Sequence, residues 1–155
     1  MPFLKFMTRT DGSPLIYLLK AFALTIIGEI VIILVQLSFF PASPQSSSDE
    51  PVNVSAFGIL ILWPLFSTCV VWAAITGFKR ISPTYWHAAA GSAFAIAALF
   101  VLITDISVAL VLAWPFFIYA LTFLAWQLKS TLHGFAMTAV LQGMVSLLPA
   151  MLIGS

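Results

Sequence analysis

The chain has 155 residues, of which 62% are apolar and only 7% are charged, with a formal net charge of +1. Soluble domains carry charge on about a quarter of their residues, and a water-soluble fold of this length could not cover so much apolar side-chain area. This composition excludes a soluble globular enzyme, a disordered chain and a nucleic-acid-binding protein, and it leaves a polytopic membrane protein.

The long apolar runs predict an all-α fold, a bundle of five transmembrane helices that forms a single transmembrane domain over residues 1–155. Backbone polar groups inside a bilayer must be hydrogen-bonded within a helix or a closed barrel, and barrel strands alternate apolar and polar residues, which these continuous runs do not. A helix needs about twenty residues to cross the hydrocarbon. The predicted spans lie at about 15–40, 56–78, 86–104, 107–128 and 132–153, and a Ser- and Pro-rich outer loop at 41–55 joins the first two.

Glu29 lies near the middle of the first predicted span, where a carboxylate costs about 2.5 kcal/mol or more to insert. Depth counting places Ser67 and Thr68 of the second span and Gln142 of the fifth at a similar level. We therefore expect these four residues to form an intramembrane polar cluster. Three interpretations stay open: a site linked to protons or cations, a protonated carboxyl that holds helices together, and a shifted register that brings Glu29 nearer an interface.

The charged residues predict which side of the membrane each loop occupies, because cytoplasmic loops carry an excess of Lys and Arg. With five spans, all six basic residues fall on one side, whereas Asp49, Glu50, Asp105 and the C-terminus fall on the other. If residues 86–128 crossed only once, Lys129 would move to the acidic side. We therefore expect a multi-pass protein of the cell (inner) membrane, with a cytoplasmic N-terminus and the C-terminus outside.

Asp105 marks the predicted division between the third and fourth spans. It is the only charged residue between Trp86 and Leu128, a tract about twice as long as one span. Thr104 and Ser107 flank it with hydroxyl groups that favour a turn. Asp105 is therefore expected at an outer hairpin.

Small residues predict the helix-packing surfaces, since membrane helices associate through close approach of their backbones. In the third span Ala89, Ala93 and Ala97 recur at intervals of four, and a parallel contact between the third and fifth helices is possible. The fifth span carries a stripe of small residues at alternating intervals of three and four: Ala136, Ala139, Gly143, Ser146 and Ala150.

His87 and His133 begin the third and fifth predicted spans, both at the inner face. Their equal depth makes them weak candidates for haem or metal ligation. A zinc site would need further N, S or O ligands at suitable spacing, and the sequence clusters none. No cofactor and no metal site are therefore predicted.

The sequence carries no catalytic motif, so an enzyme is not expected. The leading prediction is an accessory, assembly or immunity-type partner of a membrane complex, which contacts the lipid bilayer and either another membrane protein or copies of itself, and no nucleic acid. The alternative is a small oligomeric transporter or channel that uses Glu29. A third possibility is a haem-binding electron-transfer subunit, which depends on His87 and His133 alone.

Overall fold

The computed structural model of the chain describes residues 7–8, 10–39, 58–81 and 84–153. Within these residues all regular structure is helical and no strand occurs, which confirms the all-α prediction. A five-residue π-helical segment, Gly58–Leu62, runs directly into the second helix. The predicted outer loop at 41–55 lies outside the described residues. The helices are α1 (Pro14–Phe39), α2 (Trp63–Ile81), α3 (Tyr85–Val101), α4 (Ile106–Gln127) and α5 (Thr131–Ile153).

The tract between residues 86 and 128 divides at the expected place. α3 ends at Val101 and α4 begins at Ile106, so the turn lies at 102–105. Asp105 is the N-cap residue of α4, with extended backbone angles (φ −77°, ψ 152°). Its carbonyl oxygen accepts the N–H of Ala109 at 3.1 Å, which starts the hydrogen-bond ladder of α4.

Four helical segments are long and apolar enough to cross a membrane. α3 has 17 residues and is shorter than the usual span. At a rise of about 1.5 Å per residue it extends about 25 Å, against about 30 Å of hydrocarbon. Helix length and composition therefore indicate a membrane protein with four candidate spans, which are Pro14–Ser38, Leu60–Ile81, Ile106–Gln127 and Thr131–Leu148.

α4 is the central helix of the bundle. Of its candidate span, 61% is buried, against 22% for α1 and 28% for α2. It packs against each of the other four helices, most extensively against α3 and α5. α3 and α5 each pack on α4 and do not contact each other within the described residues. The parallel contact that the sequence left possible between the third and fifth helices is therefore not formed among these residues.

Hydrogen bonds between side chains and backbone tie neighbouring helices to α4. The hydroxyl of Tyr85 on α3 donates to the carbonyl oxygen of Leu121 at 2.7 Å. The indole Nε1 of Trp114 on α4 donates to the carbonyl oxygen of Leu24 on α1 at 3.2 Å. Since lipid tails are as apolar as leucine, such bonds and close packing stabilise the bundle more than apolar burial does.

The outer surface of the bundle is apolar. Phe66 and Phe94 expose 63% and 77% of their surface, and Ile27 and Leu34 on α1 expose 60% and 58%. Water would solvate such a surface poorly, whereas a bilayer matches it. The polar side chains that remain inside the bundle therefore define where a site could lie.

Candidate functional site

A cavity of about 350 Å³ lies between α1, α2, α4 and α5. Polar and apolar side chains line it from the middle of α1 and α4 to Trp63 at the start of α2 and Leu148 at the end of the last candidate span, and none of the described lining residues is Lys, Arg or His. The lining residues are Ile26, Glu29, Trp63, Ser67, Leu112, Pro115, Phe116, Tyr119, Gln142, Val145, Ser146 and Leu148. We call this space the Glu29 cavity.

Close packing between α1 and α4 sets the orientation of Glu29. A Cβ atom on Gly28 would overlap the indole of Trp114, so any larger residue at that position requires the ring to move. With Gly28 against α4, the next residue turns about 100° around the helix and enters the cavity. Glu29 is half-buried, and no other described residue donates a hydrogen bond to its carboxyl group.

Ser67 and Gln142 meet across the interface between α2 and α5. The Ser67 hydroxyl donates a hydrogen bond to the Gln142 side-chain oxygen, and it also lies 2.8 Å from the carbonyl oxygen of Trp63. Gln142 is only 2% exposed, and its Nε2 amide nitrogen has no hydrogen-bond partner among the residues that the structure describes. A buried donor without an acceptor is uncommon in folded proteins, because its desolvation is not compensated.

Aromatic rings form one wall of the Glu29 cavity. The ring centroids of Phe116 and Tyr119 on α4 lie 5.7 Å apart in an edge-to-face arrangement. Trp63, at the start of α2, contacts Phe100 of α3, with ring centroids 6.4 Å apart. Phe100 in turn contacts Phe116, with centroids 5.8 Å apart. These ring contacts pack aromatic residues of α2, α3 and α4 into one group beside the cavity.

Three of the four residues expected in the polar cluster line the Glu29 cavity. Glu29, Ser67 and Gln142 do so, and Thr68 does not. The Thr68 hydroxyl donates instead to the carbonyl oxygen of Pro64 at 2.6 Å, one turn earlier in α2. Consecutive helical residues point about 100° apart, and in α2 it is Ser67 and not Thr68 that lines the cavity.

Two further polar residues of the cavity were not predicted. Tyr119 lies on α4 near the middle of the fourth predicted span, and it is 7% exposed. Ser146 follows Gln142 by one helical turn and therefore shares its face. The same depth counting that selected Glu29 would have selected Tyr119, and the helical period would have added Ser146.

The stripe expected on α5 does not coincide with the buried face of that helix. Ala136 is exposed, Ala139 and Ser146 are half-buried, and the side chain of Ala150 lies outside those that the structure describes. Gly143 lies near the backbone of the π-helical segment, because a Cβ atom at this position would be 3.8 Å from the carbonyl oxygen of Leu60. The stripe of α3 is different, because Ala89, Ala93 and Ala97 are all buried.

His87 and His133 lie apart from the Glu29 cavity. Both are exposed, and they belong to α3 and α5, which do not contact each other. The Nδ1 atom of His133 is 2.7 Å from the hydroxyl oxygen of Ser130. Among the described residues, no group of three or more His, Cys, Asp or Glu side chains could hold a metal ion. Asp105 is also exposed, at the turn between α3 and α4.

The Glu29 cavity combines one carboxyl group, one unpartnered amide and an aromatic wall. A carboxylate in a space without basic residues attracts a cation or holds a proton, and the two states exclude each other. Such a group can therefore exchange one for the other. Comparison of the chain with known protein families, with curated proteins and with solved structures finds no match.

Proposed function

We propose that this chain is a small transporter or channel of the cell (inner) membrane, in which Glu29 binds and releases the transported cation or a proton. The observation that carries the proposal is the Glu29 cavity, where the carboxyl group and the unpartnered amide of Gln142 line the same space. Intramembrane ionisable residues commonly mark ion and substrate pathways. A cavity between only four helices is small, so transport is expected to need two or more copies.

A purely structural role for Glu29 is less well supported. A carboxyl group that holds helices together should donate or accept a hydrogen bond across a helix interface. No other described residue donates such a bond to Glu29, although Gln142 lines the same cavity with a free donor. The carboxyl group is therefore available to a ligand.

The proposal includes five crossings, with the N-terminus in the cytoplasm and the C-terminus outside. Charge supports this topology, because Lys129 lies on the same side as Lys79 and Arg80 only if the chain crosses twice between them, once in α3 and once in α4. α3 is short for a span, but a bilayer adapts to a short helix at a modest free-energy cost.

Flux measurements on reconstituted protein test the transport proposal. Proteoliposomes that hold a pH-sensitive dye are challenged with Na⁺, K⁺ and alkylammonium salts. We expect a cation-dependent pH change that Glu29→Gln abolishes. Asp11→Asn is the matched control, because Asp11 is an exposed acid in the segment before α1. The proposal is wrong if no cation produces a flux, or if Glu29→Gln retains it while both variants elute as folded protein.

Cysteine labelling tests the topology. In a Cys69→Ala background, single cysteines at Ser47 and Ser155 should both react with a membrane-impermeant maleimide added to intact cells. A cysteine at Ser130, in the turn before α5, should react only after lysis. Protection of position 155 would remove one crossing from the proposed topology.

The second candidate function is the accessory, assembly or immunity-type role. It is favoured by the α5 surface around Ala136 and Ala139, where small side chains remain open in the single chain. This surface could pack against another membrane protein or a second copy. Crosslinking from a cysteine at Ala136 should then trap a stoichiometric partner, and crosslinks to lipid alone would contradict it.

The haem-binding alternative has no observation in its favour. Its two histidines lie on helices that do not contact each other. It stays a prediction with a simple test, since the purified protein would show a Soret band if haem were bound.

A further inference from the structure

We infer that the ligand of the Glu29 cavity is an organic monocation that also carries a hydrogen-bond acceptor, such as an amine or quaternary ammonium with a hydroxyl, ether or carbonyl oxygen nearby. This inference rests on the proposed function for its site, and it adds the chemical class of the ligand. It follows from three properties of the cavity: charge, wall chemistry and an unused donor.

Charge selects a cation over an anion. Among the described residues that line the cavity, Glu29 is the only acidic one and none is basic. An anionic ligand would meet a carboxyl group with no compensating positive charge in a space of low polarity, which is strongly unfavourable. A monocation instead neutralises the single negative charge of the ionised carboxylate.

Wall chemistry selects an organic cation over a metal ion. Hard cations such as Ca²⁺ and Mg²⁺ require six or more oxygen ligands. The cavity offers few oxygen atoms, and Gln142 already uses its oxygen to accept from Ser67. Trp63, Phe116 and Tyr119 supply aromatic surface, which attracts ammonium groups through the negative face of the ring.

The unused donor selects a ligand with an acceptor. The Gln142 side chain is 2% exposed, lines the cavity and leaves its Nε2 hydrogens without a partner. An oxygen atom of the ligand would satisfy them. Gln142 and Glu29 lie on different helices and line the same cavity, so a ligand with a cation at one end and an acceptor at the other would suit both. The volume of about 350 Å³ is at the small end of ligand pockets, which fits such a compact molecule.

Matched probes separate the two recognition elements. Choline carries both a cation and a hydroxyl oxygen, propyltrimethylammonium keeps only the cation, and 3,3-dimethylbutanol keeps only the hydroxyl. The affinity of each compound for the purified protein in nanodiscs is measured by ligand-observed NMR. Two further series of three compounds, with triethyl or benzyldimethyl groups in place of the trimethyl group, are measured in the same way. We expect the compound with both groups to bind about fivefold more tightly than the compound without the oxygen, and about twentyfold more tightly than the neutral one.

Variants should remove one preference each. Gln142→Leu should abolish the preference for the oxygen and keep the preference for the cation. Glu29→Gln should do the reverse. Thr76→Val is the matched control, since Thr76 is exposed on α2 and bonds only to the carbonyl oxygen of Trp72. If Gln142→Leu does not fold, Gln142→Met replaces it as a flexible variant of similar length.

The outcomes distinguish this inference from the proposed function. If no cation in any of the three series binds better than its neutral partner, the inference is overturned, even where inorganic cations or protons produce a flux. Suppose that Gln142→Leu removes only the preference for the oxygen, that Glu29→Gln removes only the preference for the cation, and that no flux is observed. The inferred ligand class is then supported and the transport proposal is wrong. Equal loss of both preferences in Gln142→Leu and in Thr76→Val also overturns the inference.

Discussion

The hydroxyl of Ser67 on α2 donates a hydrogen bond to the side-chain oxygen of Gln142 on α5, across 75 positions of the chain. Both residues are almost fully buried, at 3% and 2% exposure. The bond joins two helices at the depth of Glu29, yet no described residue accepts a hydrogen bond from the nitrogen of the same amide. Removal of Ser67 and removal of Gln142 should therefore have unequal effects on stability.

Ser67→Ala should lower the free energy of unfolding by about 1 to 2 kcal/mol, because it leaves both polar atoms of the buried amide without partners. Gln142→Leu should cost less, since it also removes the donor that is already unsatisfied. In the double variant the effect of Ser67→Ala should largely disappear. Reversible unfolding in mixed detergent micelles measures the free energy of unfolding of the wild type, the two single variants and the double variant. If the losses of the two single variants add up to that of the double variant, the hydrogen bond is contradicted.

The fit between Gly28 and Trp114 leads to a second prediction. Gly28→Ala places a methyl group where the Trp114 indole lies, so the ring must move and give up its bond to the Leu24 carbonyl. Overpacking of this kind costs about 1 to 3 kcal/mol. The Tm in detergent should fall accordingly, and Trp114→Leu in the same chain should restore part of it.

Gly77→Ala is the matched control for this substitution. Gly77 lies inside α2, and a Cβ atom there would meet nothing within 4 Å. It should leave the Tm unchanged or raise it slightly, because alanine favours the helix over glycine. Equal losses from the two glycines would show that helix propensity, and not the contact with Trp114, decides the result.

The sequence predicted the helices better than their rotations. Continuous apolar runs and Asp105 located all five helices, since a bilayer requires long helices and places a charge at a turn. Depth along a span needs only residue counting, which is why Glu29, Ser67 and Gln142 were expected at one level. Which side chains face the cavity depends on the rotation of each helix about its axis, which residue counting does not give. Thr68 was therefore expected in the cluster, but it does not line the cavity.

The sequence also did not predict which helices pack against each other. Small residues on the third and fifth spans made a contact between those helices possible, but the pattern does not say which helix will cover each stripe. α3 packs against α2 and α4, and its stripe is buried, whereas the stripe of α5 stays partly uncovered, with Ala136 exposed. A glycine that contacts backbone directly, Gly134, lies outside the predicted stripe.

Lys129 fixes the chain segment before α1 to the end of α4, which leads to a third prediction. Its Nζ atom donates to the carbonyl oxygen of Thr10 at 2.7 Å and lies 4.6 Å from the ring centroid of Trp126. Lys129→Met keeps the apolar stem and loses both interactions. Limited proteolysis of the detergent-solubilised protein should then cut near Thr10 several times faster, with little change in Tm.

Lys129→Arg is the control for charge, because it keeps a cation that can reach the carbonyl and stack on the indole. It should restore resistance to cleavage. If Lys129→Met is cleaved no faster than the wild type, the contact with Thr10 does not hold that segment in place.

Gly134 and Gly143 provide the fourth prediction, because one lies outside the small-residue stripe and the other within it. A Cβ atom on Gly134 would lie 3.0 Å from the carbonyl oxygen of Phe123 and 3.3 Å from the amide nitrogen of Gln127. These are backbone atoms of α4 that cannot rotate away. Gly134→Ala should therefore push α5 from the end of α4 and destabilise the protein by about 1 to 3 kcal/mol.

Gly143→Ala should be tolerated despite its place in the stripe. Its added methyl group would meet the Leu60 carbonyl oxygen at 3.8 Å, an ordinary van der Waals distance. The helix propensity of alanine should offset any small loss of packing. Unfolding of the two variants in the same micelles tests the contrast. A larger loss at Gly143 than at Gly134 would mean that α5 packs through the stripe, for instance against a second copy, and not through the contact with the end of α4.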